Sequence, residues 1–443
     1  MANYTLPLGS KMLSKQFTYG VATASFQIEG GVEHRLPCIW DTFCATEGKI
    51  ADQSNGDVAC DHFHKWSEDI DLIDSLGVDA YRLSLSWPRL IKEDGSLNED
   101  GATFYINILD KLIAKGIKPF VTLYHWDLPQ HIEDNGGWLN RDTAYKFAEY
   151  TDIVTKAFGD RVHSYATLNE PFCSSYLGYE VGIHAPGKVG KEYGRKSAHH
   201  LLLAHGLAMQ VLKKNVPSAK NGIVLNFTPC YSATDDAADI AATQFADDYF
   251  NQWYIKPIFD KEYPAIINHL PKEHQPDIHD GDMEIIAQTV DFLGVNFYTR
   301  AIYKADEQEV FEQLEPPEPR TDIGWEIYPQ AFTNLLTDLH SKYSLPPVYI
   351  TENGAAMADQ LENAQVNDLD RVDYYQAHLN AVNDAIEAGV NIQGYFAWSL
   401  MDNFEWAEGY LKRFGIVYVD YVSQTRTIKQ SGLLYRDLIN SRT

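Results

Sequence analysis

Eight short apolar or aromatic runs, separated by stretches of helical periodicity, constrain this chain more than any other feature. The runs are Phe17–Ala22, Ala80–Leu85, Pro119–Tyr124, Tyr165–Leu168, Ile223–Phe227, Phe292–Phe297, Val348–Ile350 and Ile392–Trp398. Between the second and third, Phe104, Ile108 and Leu112 recur at helical spacing and Gly116 provides a stop. Asp142 precedes another such stretch, carrying Phe147, Thr151, Val154 and Phe158 and closed by Gly159. Similar patterns fill 198–214, 239–255, 331–343 and 370–388. Eight alternating units predict a (β/α)8 barrel, and 443 residues suit one with long loops. Glu315-Pro316-Pro317-Glu318-Pro319 is too brief for a linker and reads as part of a βα loop, so one domain over residues 1–443 is expected.

Acidic residues outnumber basic ones 62 to 36, leaving a net charge of −26. Such a surface repels phosphate backbones and anionic lipid, which argues against nucleic acid and membranes as partners. No run approaches the ~18 apolar residues of a membrane span. The first twenty residues lack a basic start followed by an apolar core, so a cytoplasmic location without a secretion signal is expected. Five cysteines (Cys38, Cys44, Cys60, Cys173, Cys230) form no C-x-x-C pair and read as free thiols. His62 and His64 flank Phe63 without a third ligand at metal spacing, and no phosphate-binding glycine loop is present. Neither metal nor cofactor is expected.

Active sites of such barrels lie at the carboxyl ends of the strands. Gln27 follows the first run, the second contains Arg82, and the third leads to His125 and Trp126. Asn169 and Glu170 end the fourth, Asn226 lies in the fifth, and Asn296 and Tyr298 belong to the sixth. Glu352 and Asn353 follow the seventh, and Trp398 ends the eighth, with Glu405 and Trp406 in the loop beyond. This set suits a neutral polyhydroxylated ligand, since amides and carboxylates bond hydroxyls and indoles stack on C–H faces. Glu170 and Glu352, on strands four and seven, both project toward one mouth. A carboxylate pair across a sugar pocket is the machinery of glycoside hydrolysis.

Thr167-Leu168-Asn169-Glu170-Pro171 and Ile350-Thr351-Glu352-Asn353-Gly354 resemble the two signatures of family 1 glycoside hydrolases, bacterial-type β-glucosidases in particular. The segments from Phe17 to Gly30, Tyr81-Arg82-Leu83-Ser84, Tyr124-His125-Trp126-Asp127, Asn296-Phe297-Tyr298 and Trp398 to Gly415 match in the same order. The resemblance implies a retaining β-glycosidase on a (β/α)8 barrel. It makes Glu352 the nucleophile and Glu170 the acid/base, ~5–5.5 Å apart, with Arg82 and Tyr298 holding Glu352 ionised. At that separation two charges repel by about 3 kcal/mol, so one carboxyl keeps its proton.

By the same resemblance, Gln27, His125, Trp126, Asn169, Asn296, Glu405, Trp406 and Phe414 bind the glycone, Trp398 forms a platform under its ring, and Asn169 contacts the 2-hydroxyl. Phe172, Cys173, Leu177, Asn226 and Trp325 lie on the aglycone side, an apolar funnel suited to aryl or alkyl groups. Glu405 sets the substrate class, because a carboxylate there bonds the 4- and 6-hydroxyls and repels a 6-phosphate. The expected substrates are terminal β-D-glucosyl residues of cello-oligosaccharides or of aryl and alkyl glucosides, with β-fucosyl and β-galactosyl alongside. Two alternatives stand beside this: a 6-phospho-β-glycosidase, for which Lys412 beside Arg413 is the available feature, and a catalytically silent sugar-binding barrel.

Overall fold

The structure, a computed structural model, describes residues 4–443. Eight parallel strands close into a barrel: β1 (Thr18–Ala22), β2 (Ala80–Ser84), β3 (Lys118–Tyr124), β4 (Ser164–Asn169), β5 (Lys220–Phe227), β6 (Phe292–Phe297), β7 (Val348–Asn353) and β8 (Ile392–Trp398), with β8 paired back onto β1. These are the eight runs read from the sequence. They are continuous rather than alternating because helices cover one face and the barrel interior covers the other. The seventh run is longer than its apolar part: Thr351, Glu352 and Asn353 continue the strand, so Glu352 sits on rigid backbone.

Aromatic side chains fill the interior beneath the strand ends. Phe120 packs on Phe396 and Tyr349, with ring centroids 4.9 and 5.5 Å apart, and Phe292 closes on Tyr349 at 5.8 Å. Gly20 makes room for this layer, since a Cβ there would lie 2.4 Å from the Phe396 ring. The barrel is therefore a plugged core, and the polar side chains described below gather at its carboxyl end.

The helix Glu99–Ala114 buries Phe104, Ile108 and Leu112 as its spacing predicts. Asp142 opens the helix Asp142–Phe158 as its first residue, and its N–H is capped by Asn140 Oδ1 at 3.0 Å. The 198–214 pattern lies inside Lys191–Asn215, and those at 331–343 and 370–388 become Pro329–Lys342 and Leu369–Glu387. The 239–255 stretch is divided into Ala237–Asp247, a wider turn, and Trp253–Phe259.

Two small sheets were not legible in the sequence: Cys230–Ser232 with Ala301–Asp306 and Val310–Gln313, and the ribbon Val417–Asp420 with Thr425–Ile428. Their strands are short and largely half-buried, too brief to show a period. Glu315–Pro319 follows the first of these sheets, within the long loop after β6. Among the described residues no helix is long and apolar enough to cross a membrane.

Candidate active site

The carboxyl ends of the strands bring the predicted polar side chains into one buried network. Arg82, pointing inward from β2, donates from Nη1 to Glu352 Oε1 at 2.6 Å and from Nη2 to Asn169 Oδ1 at 2.6 Å. Tyr298 donates its hydroxyl to the other Glu352 oxygen, also at 2.6 Å. Asn296 Nδ2 donates to Asn169 Oδ1 at 3.1 Å and to Glu170 Oε1 at 2.5 Å, while Thr351 donates to Asn296 Oδ1 at 2.6 Å. Asn169 Nδ2 reaches His125 Nε2 at 3.1 Å, and Trp126 Nε1 donates to the Asn169 carbonyl at 2.8 Å. Five barrel strands or the loops just beyond them thus converge on two carboxylates.

Backbone strain collects in the same place. Trp126, Glu170 and Trp406 all adopt left-handed φ values (83°, 47° and 47°), which cost bulky residues about 1–3 kcal/mol each. The Glu170 N–H is held by the Val224 carbonyl at 2.9 Å. Gly354 lets the ends of β7 and β8 meet, for a Cβ there would fall 1.7 Å from the Trp398 carbonyl oxygen. The glycine of the second signature is thus a close-packing requirement next to Glu352.

Three acidic side chains, Glu170, Glu352 and Glu405, share this site with one guanidinium, Arg82. Burial, and then the Glu352 charge, push the Glu170 carboxyl up to about 7. Burial also raises Glu352, but Arg82, Tyr298 and Asn296 pull against it. Glu352 has the cation and Glu170 has none, so a single negative charge on the pair rests on Glu352 and the proton on Glu170. Glu405 is pushed up to about 8 by burial and the neighbouring carboxylates. The same burial that raises Glu405 weakens the charge with which it repels a phosphate.

Above the network opens a cavity of about 560 Å³. Trp398 stacks on His125 with centroids 5.8 Å apart, and His125 stacks in turn near Trp406 at 5.9 Å. Gln27 donates its amide to Asn403 and Phe404, which leaves its Oε1 free. Gln27 Oε1, His125 Nδ1 and Glu405 Oε2 are all buried without a protein partner. Buried polar atoms are normally satisfied, so three orphans around one aromatic platform mark places for ligand hydroxyls.

Gln27, Arg82 and Asn169 are almost fully buried, and the other predicted glycone-side residues, Trp126, Asn296 and Phe414 among them, line the cavity. Phe172, Cys173, Leu177, Asn226 and Trp325 line it as well. Sequence reasoning missed the outermost wall, where the hairpin residues Gln313 and Leu314 and the ring of Phe250 extend the cavity. It also missed that the Cys173 thiol contacts Glu170 directly, Sγ donating to Oε2 at 2.9 Å. The three-residue offset was visible, but only the wide-turn helix Cys173–Glu180 aims the thiol back.

His62 is buried against Asp69 at 2.8 Å, a structural pairing. The fold does bring Glu33 and His34 beside His64, one donor atom each within 4.8 Å of one another, which spacing along the chain did not show. All three are exposed and none lines the cavity.

A plugged (β/α)8 barrel with two electrostatically linked carboxyls above a platform of indole and imidazole belongs to the class of glycoside-processing enzymes. The chain belongs to glycosyl hydrolase family 1, whose profile matches residues 9–443. It is 45% identical over 431 residues to a β-glucosidase of Agrobacterium sp., covering 95% of this chain and 94% of that one. It is 42% identical to a bifunctional β-D-glucosidase/β-D-fucosidase of Bifidobacterium breve, with 96% and 97% covered. The solved β-glucosidase of Thermotoga maritima in complex with glucoimidazole superposes with a TM-score of 0.94 at 43% identity, covering 97% of this chain and 98% of that one.

Proposed function

We propose that this chain, acting as one catalytic unit over residues 1–443, is a retaining β-glucosidase that hydrolyses terminal β-D-glucosyl residues by double displacement. The observation that carries this reading is the asymmetry of the carboxyl pair: Glu352 is tied to Arg82 and Tyr298, and Glu170 is tied to neutral donors only. In the first half-reaction Glu170 gives its proton to the glycosidic oxygen as the C1–O bond breaks and a Glu352 oxygen bonds C1. Esterification removes the Glu352 charge, so Glu170 becomes more acidic and stays ionised. It then takes a proton from water as the water oxygen attacks C1 and the Glu352 carboxylate leaves.

Trp398 supports the sugar ring, and Gln27, His125, Asn169, Glu405 and Trp406 meet its hydroxyls. Asn169 keeps one amide proton beyond its bond to His125, directed to the 2-hydroxyl. The Bifidobacterium relative's name supports β-fucosides as a second substrate. Phe172, Leu177 and Trp325 offer an apolar outer wall to aryl or alkyl aglycones and to the next residue of a cello-oligosaccharide. Five unpaired cysteines suit a reducing cytoplasm.

A 6-phosphate finds little to bind here. Lys412 is held by the Asp322 carbonyl at 2.6 Å and its carboxylate at 3.2 Å, and Arg413 by Asp402 at 2.6 Å. The deciding experiment measures kcat/KM for nitrophenyl β-glucoside and its 6-phosphate side by side, and then for Glu170→Gln across leaving groups. The plain glucoside is preferred strongly, and the variant loses far more on poor leaving groups than on good ones. Preference for the phosphate overturns the substrate class, and equal losses across leaving groups overturn the role of Glu170.

A further inference from the structure

The hydrogen-bond chain around Glu170 has a polarity that fixes where its proton resides. A guanidinium only donates, so Arg82 Nη2 forces Asn169 to face it with Oδ1. Asn296, which also contacts Asn169 Oδ1, must then present its amide nitrogen, an orientation that the Thr351 hydroxyl reinforces at Asn296 Oδ1. The same nitrogen reaches Glu170 Oε1 at 2.5 Å. Oε1 is therefore an acceptor in every state of the carboxyl. The carbonyl oxygen of a carboxylic acid is its better acceptor, and the thiol of Cys173, with Sγ 2.9 Å from Oε2, can rotate as the pinned Asn296 amide cannot, so the acid proton falls to Oε2.

We propose that the transferable proton of Glu170 resides on Oε2 and that Cys173 is a positioning residue for it, its thiol orienting the carboxyl and stabilising the ionised form during deglycosylation. This rests on the reading of Glu170 as acid/base. Cys173 is only 7% exposed and belongs to the cavity wall. Its backbone N–H donates to the Glu170 carbonyl at 2.9 Å, so main chain and thiol turn toward the same residue. Burial, and then the Glu170 charge, push the thiol's own pKa well up, which keeps the S–H proton in place as a donor. When Glu170 delivers its proton to the leaving oxygen, the thiol supplies the hydrogen bond that the new carboxylate needs at Oε2. When water is deprotonated, the proton returns to that oxygen.

The other charged or titratable groups acting on this pair are Arg82 from β2, Glu352 from β7, Tyr298 after β6, Glu405 after β8, and Tyr254, which acts on Cys173 from the helix Trp253–Phe259. All are untouched by a change at Cys173. The test is the alkaline limb of the kcat/KM profile on a poor-leaving-group β-glucoside for wild type, Cys173→Ala and Cys173→Ser. Loss of the donor in Cys173→Ala destabilises the carboxylate and moves the limb up by about half a pH unit to one unit. A serine hydroxyl is a stronger donor and returns the limb to the wild-type position or below it, a reversal that a packing role would not produce. A limb that stays put in Cys173→Ala, or moves the same way in both variants, overturns the proposal. Titration of the Glu170 carboxyl by carbon-13 difference spectra, wild type minus Glu170→Gln, reads the same shift whatever step limits turnover. If the leaving-group test upholds Glu170 and these shifts are absent, only the role of Cys173 falls.

Discussion

Two clusters of buried charge in this molecule are built on opposite principles. Behind the loop after β8, Lys429 bonds Asp359 at 2.5 Å and Asp402 at 2.6 Å. Arg371 bonds Asp359 at 2.8 Å and Asp368 at 2.6 Å, and Arg413 bonds Asp402 at 2.6 Å. Three cations answer three carboxylates. At the active site three carboxyls share one guanidinium. Burial acts to raise Asp359, but Lys429 and Arg371 overcome it and hold the group below its usual range. At Glu170 the more distant Arg82 charge is outweighed and at Glu405 no cation acts, so burial pushes both up. Matched buried charge makes a structural anchor, here for the loop that carries Glu405 and Trp406. Unmatched buried charge keeps a proton, and a proton held near neutrality is what acid catalysis requires.

The largest expected effect comes from neutralising the unmatched cluster at its centre. Glu352→Gln removes the proposed nucleophile, and turnover of aryl β-glucosides falls by at least about 10⁴-fold. In the same variant the Coulombic push on Glu170 disappears, so its carboxyl titrates lower than in wild type, as carbon-13 spectra would read. An unchanged Glu170 titration would mean that burial alone sets it.

Next in size is Lys429→Met, which leaves Asp359 to Arg371 alone and Asp402 to Arg413 alone and costs up to about 3–5 kcal/mol of stability by denaturant titration. The pH dependence has a definite sign. Asp359 has a depressed folded pKa, so its contribution is complete above the unfolded value of about 3.9 and is lost as pH falls through the folded one. The variant's deficit is therefore greatest near neutral pH and shrinks in acid. A deficit that is constant with pH would assign the loss to packing.

The smallest effect belongs to Glu405→Gln. It keeps the shape of a side chain that burial and its acidic neighbours bias toward the uncharged form, so kcat/KM on the glucoside drops by about tenfold or less. Thermal stability stays close to wild type. A drop comparable to that of Glu352→Gln would show that Glu405 works as a charge.

The barrel was legible because parallel strands buried on both faces leave unbroken apolar runs, and two of the eight, Phe292–Phe297 and Ile392–Trp398, coincide with the strands residue for residue. Glu170 and Glu352 were legible for a related reason: each is a charged residue where such a run ends. The accessory sheet around Ala301–Asp306 was not, because its strands are short and partly exposed. Nor was the meeting of Glu33, His34 and His64, which depends on how the short turn Val32–His34 packs against the helix His62–Ser75.

The order of runs and the residues at their ends determined, from sequence alone, a (β/α)8 barrel with a carboxylate pair at its mouth. Element order and hydrophobic period are local properties, and the chain spells them out. The distances and burial that set the two carboxyls apart were decided only by the tertiary structure. Arg82 reaches Glu352 across 270 positions of chain, and Asn296 reaches Glu170 across 126. Electrostatic free energy depends on distances and burial in the folded state, and neither exists until the barrel has closed.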